Sequence, residues 1–84
     1  MIRVTLKVDG MRCGMCEVHV NEAVRKTVNC KSVKSKHSKN ETVFVIDDSL
    51  KDKIEDVIDA IQKDGYRVLD KNIELDAKKK GLFW

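Results

Sequence analysis

Eighty-four residues are enough for one domain with a single two-layer core but not for that core plus a deep catalytic pocket, so a binding protein rather than an enzyme is expected. Hydrophobic residues make up 42% and charged residues 37%, with no proline and 4 glycines, which excludes a disordered or low-complexity chain. The net charge is a mild +3, yet it is unevenly spread: up to Lys39 there are nine Lys/Arg against three Asp/Glu, and from Glu41 to Leu69 four against eight. The faces of the folded domain should therefore differ in potential. No apolar stretch approaches the roughly 18 residues of a membrane span, and Ile2 to Val8 alternates with polar residues instead of forming a signal-peptide core. A cytoplasmic protein is expected. Three cysteines is an odd number for a disulfide framework, and free thiols are the default in that compartment.

Ile2, Val4, Leu6 and Val8 alternate as in a strand with one buried face, and Asp9-Gly10 ends it. From Cys16 the period changes: Cys16, Val20, Ala23, Val24 and Thr27 make one stripe of a helix that reaches Val28 and stops at Asn29. Lys31 to His37 reads as a weak strand, with Ser35 and His37 at positions where apolar residues would be expected, followed by a Ser38-Lys39-Asn40 turn and a strong strand from Thr42 to Ile46. That strand is apolar on both alternating sets, so either Val43/Val45 or Phe44/Ile46 must face away from the helices. Ser49 reads as an N-cap with Asp52 three residues on, and Leu50, Ile54, Val57, Ile58 and Ile61 form the cleanest helical stripe. Gly65 sits at a C-cap position, and Tyr66 to Leu69 is a short last strand. The order βαββαβ predicts an α+β ferredoxin-like sandwich over residues 1–69, two helices on a four-stranded antiparallel sheet. Residues 70–84, ending KKKGLFW, form a C-terminal extension. They are expected either to be disordered or to cover the open sheet face through Ile73, Leu75 and Leu82-Phe83-Trp84, in the same molecule or in a homodimer.

The segment Gly10-Met11-Arg12-Cys13-Gly14-Met15-Cys16 carries the chemistry. Its two cysteines admit a disulfide, a redox couple, part of a zinc knuckle or a two-thiolate clamp for a soft metal ion. Cys16 in the first helical turn meets unpaired N–H groups and the positive end of the helix dipole, and Cys13 lies beside Arg12. Both surroundings favour the thiolate, which is the metal-binding form. One sulfur on a loop and one on a helix, three residues apart, suits a two-coordinate ion such as Cu(I). Zinc wants about four ligands, and no second CxxC or paired His completes a tetrahedron. His19, a turn beyond Cys16, and His37, near the hairpin, are read as solvated residues rather than ligands. Cys30 lies at the far end of a helix nearly 20 Å long and reads as a small buried hydrophobe. A thiol-disulfide oxidoreductase is the rival from another class, but the cis-proline of thioredoxin-like proteins has no counterpart in a chain without proline, nor is there an aromatic before Cys13. Phe44 is the only aromatic in the two central strands, so nucleic acid is not an expected partner.

With its GMxCxxC pattern, its length and its order of elements, the chain from Ile2 to about Leu69, including the DAIQKDGYRVL stretch, resembles the heavy-metal-associated domain of copper chaperones, copper-pumping P-type ATPases and mercury-scavenging proteins. The resemblance implies that Cys13 and Cys16 are metal ligands, that Met11 turns into the core beneath the loop, and that Tyr66 shields the metal. It also implies a partner such as the metal-binding domain of a copper-transporting P-type ATPase. Departures from the pattern are Arg12, where threonine is usual, and Asn29-Cys30, where Gly-Val ends the first helix. The implied function is Cu(I) binding and transfer to a partner by thiolate exchange, as a copper chaperone or buffer, with Arg12 and Lys39 steering an acidic docking face. The alternative within the same class is detoxification of Hg(II), Cd(II) or Zn(II).

Overall fold

Alternation at the start of the chain becomes β1 (Ile2–Asp9), whose Ile2, Val4, Leu6 and Val8 are buried while the intervening residues are not. In this computed structural model, which describes residues 1–75, β1 lies inside the sheet. It pairs antiparallel with β3 (Glu41–Ile46) on one side and with β4 (Arg67–Leu75) on the other, and β2 (Ser32–Lys36) adds to β3. The order β2-β3-β1-β4, with α1 (Gly14–Thr27) and α2 (Ile54–Lys63) interposed in sequence, is the expected ferredoxin-like sandwich.

Register decides which face of β3 the helices cover. Thr42, Phe44 and Ile46 stand opposite Leu6, Val4 and Ile2, and directly opposed residues share a face, so this set points to the helices and is fully buried. Val43 and Val45 therefore lie on the open face. The helical stripes supply the other half of the core: Val20, Ala23 and Val24 from α1, and Ile54, Val57 and Ile61 from α2, close on the sheet, with Ile58 and Val33 packed at the margin. Burial of such side chains contributes about 1.5–3 kcal/mol each, which makes this layer the main source of stability.

Ser35 stands where an apolar residue was expected on the helix face of β2, yet it is buried. Its hydroxyl donates to Asn21 Oδ1 at 2.7 Å and lies 2.9 Å from Thr42 Oγ1, so α1, β2 and β3 are joined by a polar contact that removes the cost of burying three unpaired groups.

Several boundaries differ from the sequence reading. α1 begins at Gly14 rather than Cys16, because Cys13, in extended backbone, occupies the N-cap. The second helical segment opens with a 3-10 turn over Asp48–Lys53 before α2 proper. Its cap is Asp47 and not Ser49: the Asp47 carboxylate accepts from the Ser49 N–H at 3.0 Å and from its hydroxyl. A carboxylate is the stronger acceptor for the unpaired amides of a helical start.

β4 runs to Leu75, six residues beyond the predicted end at Leu69. Opposite β1 its register skips a residue: Lys7 faces Asp70 and Val8 faces Val68, leaving Leu69 as a bulge. The bulge shifts the alternation, so Val68 shares the helix face with Lys71, Ile73 and Leu75, which stand opposite Leu6, Val4 and Ile2. Ile73 and Leu75 were expected to help cover the open face; they lie on the other side. Residues 76–84, including Leu82-Phe83-Trp84, lie outside the described residues.

Candidate metal site

The loop between β1 and α1 is held from beneath by one apolar anchor. Met11 is 5% exposed and belongs to the core cluster, as the family resemblance implied. The backbone can dip there because Gly10 adopts φ +107°, a conformation that side chains resist. A Cβ on Gly10 would stand 3.4 Å from Tyr66 Cδ1, so the loop also packs against the tyrosine ring. Arg12 follows, exposed, and then Cys13, exposed.

Cys13 and Cys16 are separated by the first turn of α1. The Cys13 carbonyl accepts from the Cys16 N–H at 3.1 Å and from the Glu17 N–H at 3.3 Å, which fixes the N-cap. Its side chain makes no capping bond, so the sulfur is left for other partners. Cys16 is half-buried. Hydrogen bonds hold its thiol below the ordinary thiol range: the Arg12 backbone first, the Tyr66 hydroxyl next, and after an opposing burial effect the Cys13 backbone and side chain. Such bonds favour the charged sulfur. Tyr66 reaches this position from the connection between α2 and β4, where Gly65 takes φ +99°. Its own ionisation is pushed up to about 12, by burial first and then by the bond to Cys16, so it remains a neutral donor at physiological pH. Cys13, Cys16, Arg12, Met11 and Tyr66, which the sequence reading singled out together, thus converge at one end of the sheet. All three cysteines are free.

The two histidines are engaged elsewhere. His37, in the turn after β2, donates its N–H to Glu17 Oε2 at 2.8 Å and sets Nδ1 2.6 Å from the same oxygen. The Glu17 carboxyl is held below its usual range by these two His37 contacts. Sequence reading missed Glu17, since nothing in a 20-residue separation marks the pair. His19 lines a groove of about 560 Å3 between the helices with Glu22, Lys26, Lys63 and Asp64. Cys30 packs, half-buried, against the core after the far end of α1. Among the described residues no group of three or more His, Cys, Asp or Glu is placed to hold a metal ion, so the donor set at this end is the two thiols. That set fits an ion content with two soft ligands.

Solved structures share this fold and part of this sequence. The N-terminal domain of ZntA, solved in its Zn(II) form, is 30% identical over 82% of this chain and 90% of its own, with a TM-score of 0.70. The chain belongs to the heavy-metal-associated domain family. Other members align as closely: the CopZ metallochaperone at 29% identity over 80% of this chain and 98% of its own (TM-score 0.70), and oxidized MerP from Ralstonia metallidurans CH34 at 27% over 82% and 96% (TM-score 0.70). No family sequence model and no curated protein sequence matches the chain. Among the described residues no helix is long and apolar enough to cross a membrane.

Proposed function

We propose that this heavy-metal-associated domain is a carrier for Cu(I), not a catalyst, with Cys13 and Cys16 as the ligands. The observation that carries the reading is the pairing of an exposed Cys13 with a half-buried Cys16, whose thiolate is favoured by backbone and tyrosine hydrogen bonds, with no third metal-binding side chain grouped beside them among the described residues. Two thiolates satisfy Cu(I), whereas zinc needs about four donors. Exposure of Cys13 supports transfer by exchange. A partner thiolate adds to the bound ion, a three-coordinate intermediate forms, and the bond to Cys13 then breaks, with no change in the oxidation state of the metal. Arg12 and Lys39 would draw an acidic docking face, such as that of a metal-binding domain of a copper-transporting P-type ATPase. The similarity to the CopZ metallochaperone supports this reading. Three free thiols suit a reducing compartment, the cytoplasm.

A second reading is favoured by the similarity to the Zn(II) form of ZntA and to MerP: sequestration of Zn(II), Cd(II) or Hg(II). Hg(II) also accepts two thiolates, while Zn(II) and Cd(II) would require two molecules sharing four cysteines. Anaerobic titration with each ion, against a competing chelator, separates these readings. Tight one-to-one Cu(I) binding with weak zinc binding supports the carrier. Preference for Hg(II), or metal-driven dimers with zinc, favours sequestration. Rapid catalytic disulfide reduction with feeble metal affinity would overturn both in favour of a thiol-disulfide oxidoreductase.

A further inference from the structure

The open face of the sheet has a use that the metal loop does not account for. Val43 and Val45 form its floor, with Val45 8% exposed and Val43 half-buried, in a shallow groove of about 470 Å3 whose rim includes Arg3, Lys34, Lys36 and Lys39. Two other cations of this face are paired: Arg3, on the same rim, reaches Glu74 Oε1 at 3.1 Å, and Lys7 lies 3.9 Å from Glu41 Oε2. Among the described residues Lys34, Lys36 and Lys39 have no carboxylate within ion-pair distance, and all three are exposed. They line the edge strand β2 and its turn, so cations border the groove along its outer side.

We infer that this groove docks an extended acidic segment of a partner protein, laid along β2 with carboxylates on Lys34, Lys36 and Lys39 and apolar side chains on Val43 and Val45. Alternation in the partner would match the arrangement: in a segment lying over the face, every second side chain points down onto Val43 or Val45, and the carboxylates between them reach the flanking lysines. Nucleic acid fits less well. Among the described residues the face has no aromatic for base stacking, since Phe44 is turned fully into the core. The turn after β2 lies at the metal-loop end, where the Asn40 carbonyl accepts from the Val8 N–H at 2.8 Å. A segment seated in the groove would therefore tether a partner close to Cys13 while leaving the thiols uncovered. The inference depends on none of the metal chemistry.

The test is an amide chemical-shift titration of the full chain with a short, end-blocked peptide of alternating Glu and Val. A Lys/Val peptide and a single-stranded oligonucleotide serve as comparisons. Saturable shifts at Lys34, Lys36, Lys39, Val43 and Val45, weakened by salt, are expected with the acidic peptide alone. The triple variant Lys34→Glu, Lys36→Glu, Lys39→Glu should bind it about tenfold or more weakly, the milder Lys→Gln set should fall between, and Cu(I) affinity should stay within about twofold. Shifts confined to the helices, no shifts at all, tighter binding of the oligonucleotide, or concentration-dependent self-association through this face would each overturn the proposal.

Discussion

The two ends of α1 each carry cysteine, and their surroundings differ in every respect that governs sulfur chemistry. At the start, Cys13 occupies the N-cap and Cys16 the first turn, with the Arg12 backbone and the Tyr66 hydroxyl directed at the Cys16 sulfur. At the finish, the Thr27 hydroxyl returns to the Ala23 carbonyl at 2.8 Å, Val28 is buried, and Cys30 packs against apolar neighbours. A helix start attracts negative charge and a helix end repels it. The comparison teaches that position on the helix, more than the presence of a thiol, separates the proposed metal ligands from a packing residue in this chain.

The largest expected effect breaks the comparison directly. Cys13→Ser or Cys16→Ser should lower Cu(I) affinity by more than the roughly 100-fold that losing an outer hydrogen-bond partner costs, while Cys30→Ser should leave it within about twofold, read by anaerobic chelator competition. Equal losses from all three would erase the distinction between the ends. Next comes the anchor beneath the loop. Met11→Ala should destabilise the domain by about 2–5 kcal/mol in urea unfolding, and Met11→Leu by under about 1.5 kcal/mol. Gly10→Ala should cost about 1–2 kcal/mol, since a side chain at positive φ is strained and its Cβ presses on Tyr66.

Smaller effects sharpen the picture. Tyr66→Phe removes a donor to Cys16, so thiolate ultraviolet absorbance should titrate closer to the ordinary thiol value of 9.0, with metal affinity reduced by about tenfold. The smallest concerns Glu17. Its carboxyl is lowered in the folded state, so the His37 contacts stabilise the fold above the ordinary value of 4.5, and this contribution disappears as pH falls through the depressed value. Glu17→Gln should lower stability near neutrality by this contribution and flatten the acid limb of a stability-against-pH curve, the two curves converging at low pH. An unaltered acid limb would show that the pair does not hold the hairpin to α1.

Period-two alternation in β1 and the stripes of Val20/Ala23/Val24 and Ile54/Val57/Ile61 were legible because each repeats one burial decision several times. The cysteine pair was legible because its spacing is local. Features that depend on one distant partner were hidden: Ser35 looks misplaced until Asn21 and Thr42 are beside it, and Glu17 looks solvated until His37 arrives. The choice between Asp47 and Ser49 as cap rests on acceptor strength between near neighbours, which a capping pattern does not rank. The end of β4 was misjudged because one unpaired residue broke the periodicity on which the reading relied.

That residue, Leu69, works as a frameshift in a strand. Drawing it into the ladder opposite Lys7 would restore an unbroken two-residue rhythm, but it would swing Asp70, Asn72 and Glu74 inward beneath the helices, carry Ile73 and Leu75 outward, and separate Lys71 from Glu55. The outer half of the strand thus takes its inside and outside from leaving a single spacer unpaired, and a lineage that closed the bulge by pairing that residue would have to rewrite every position downstream.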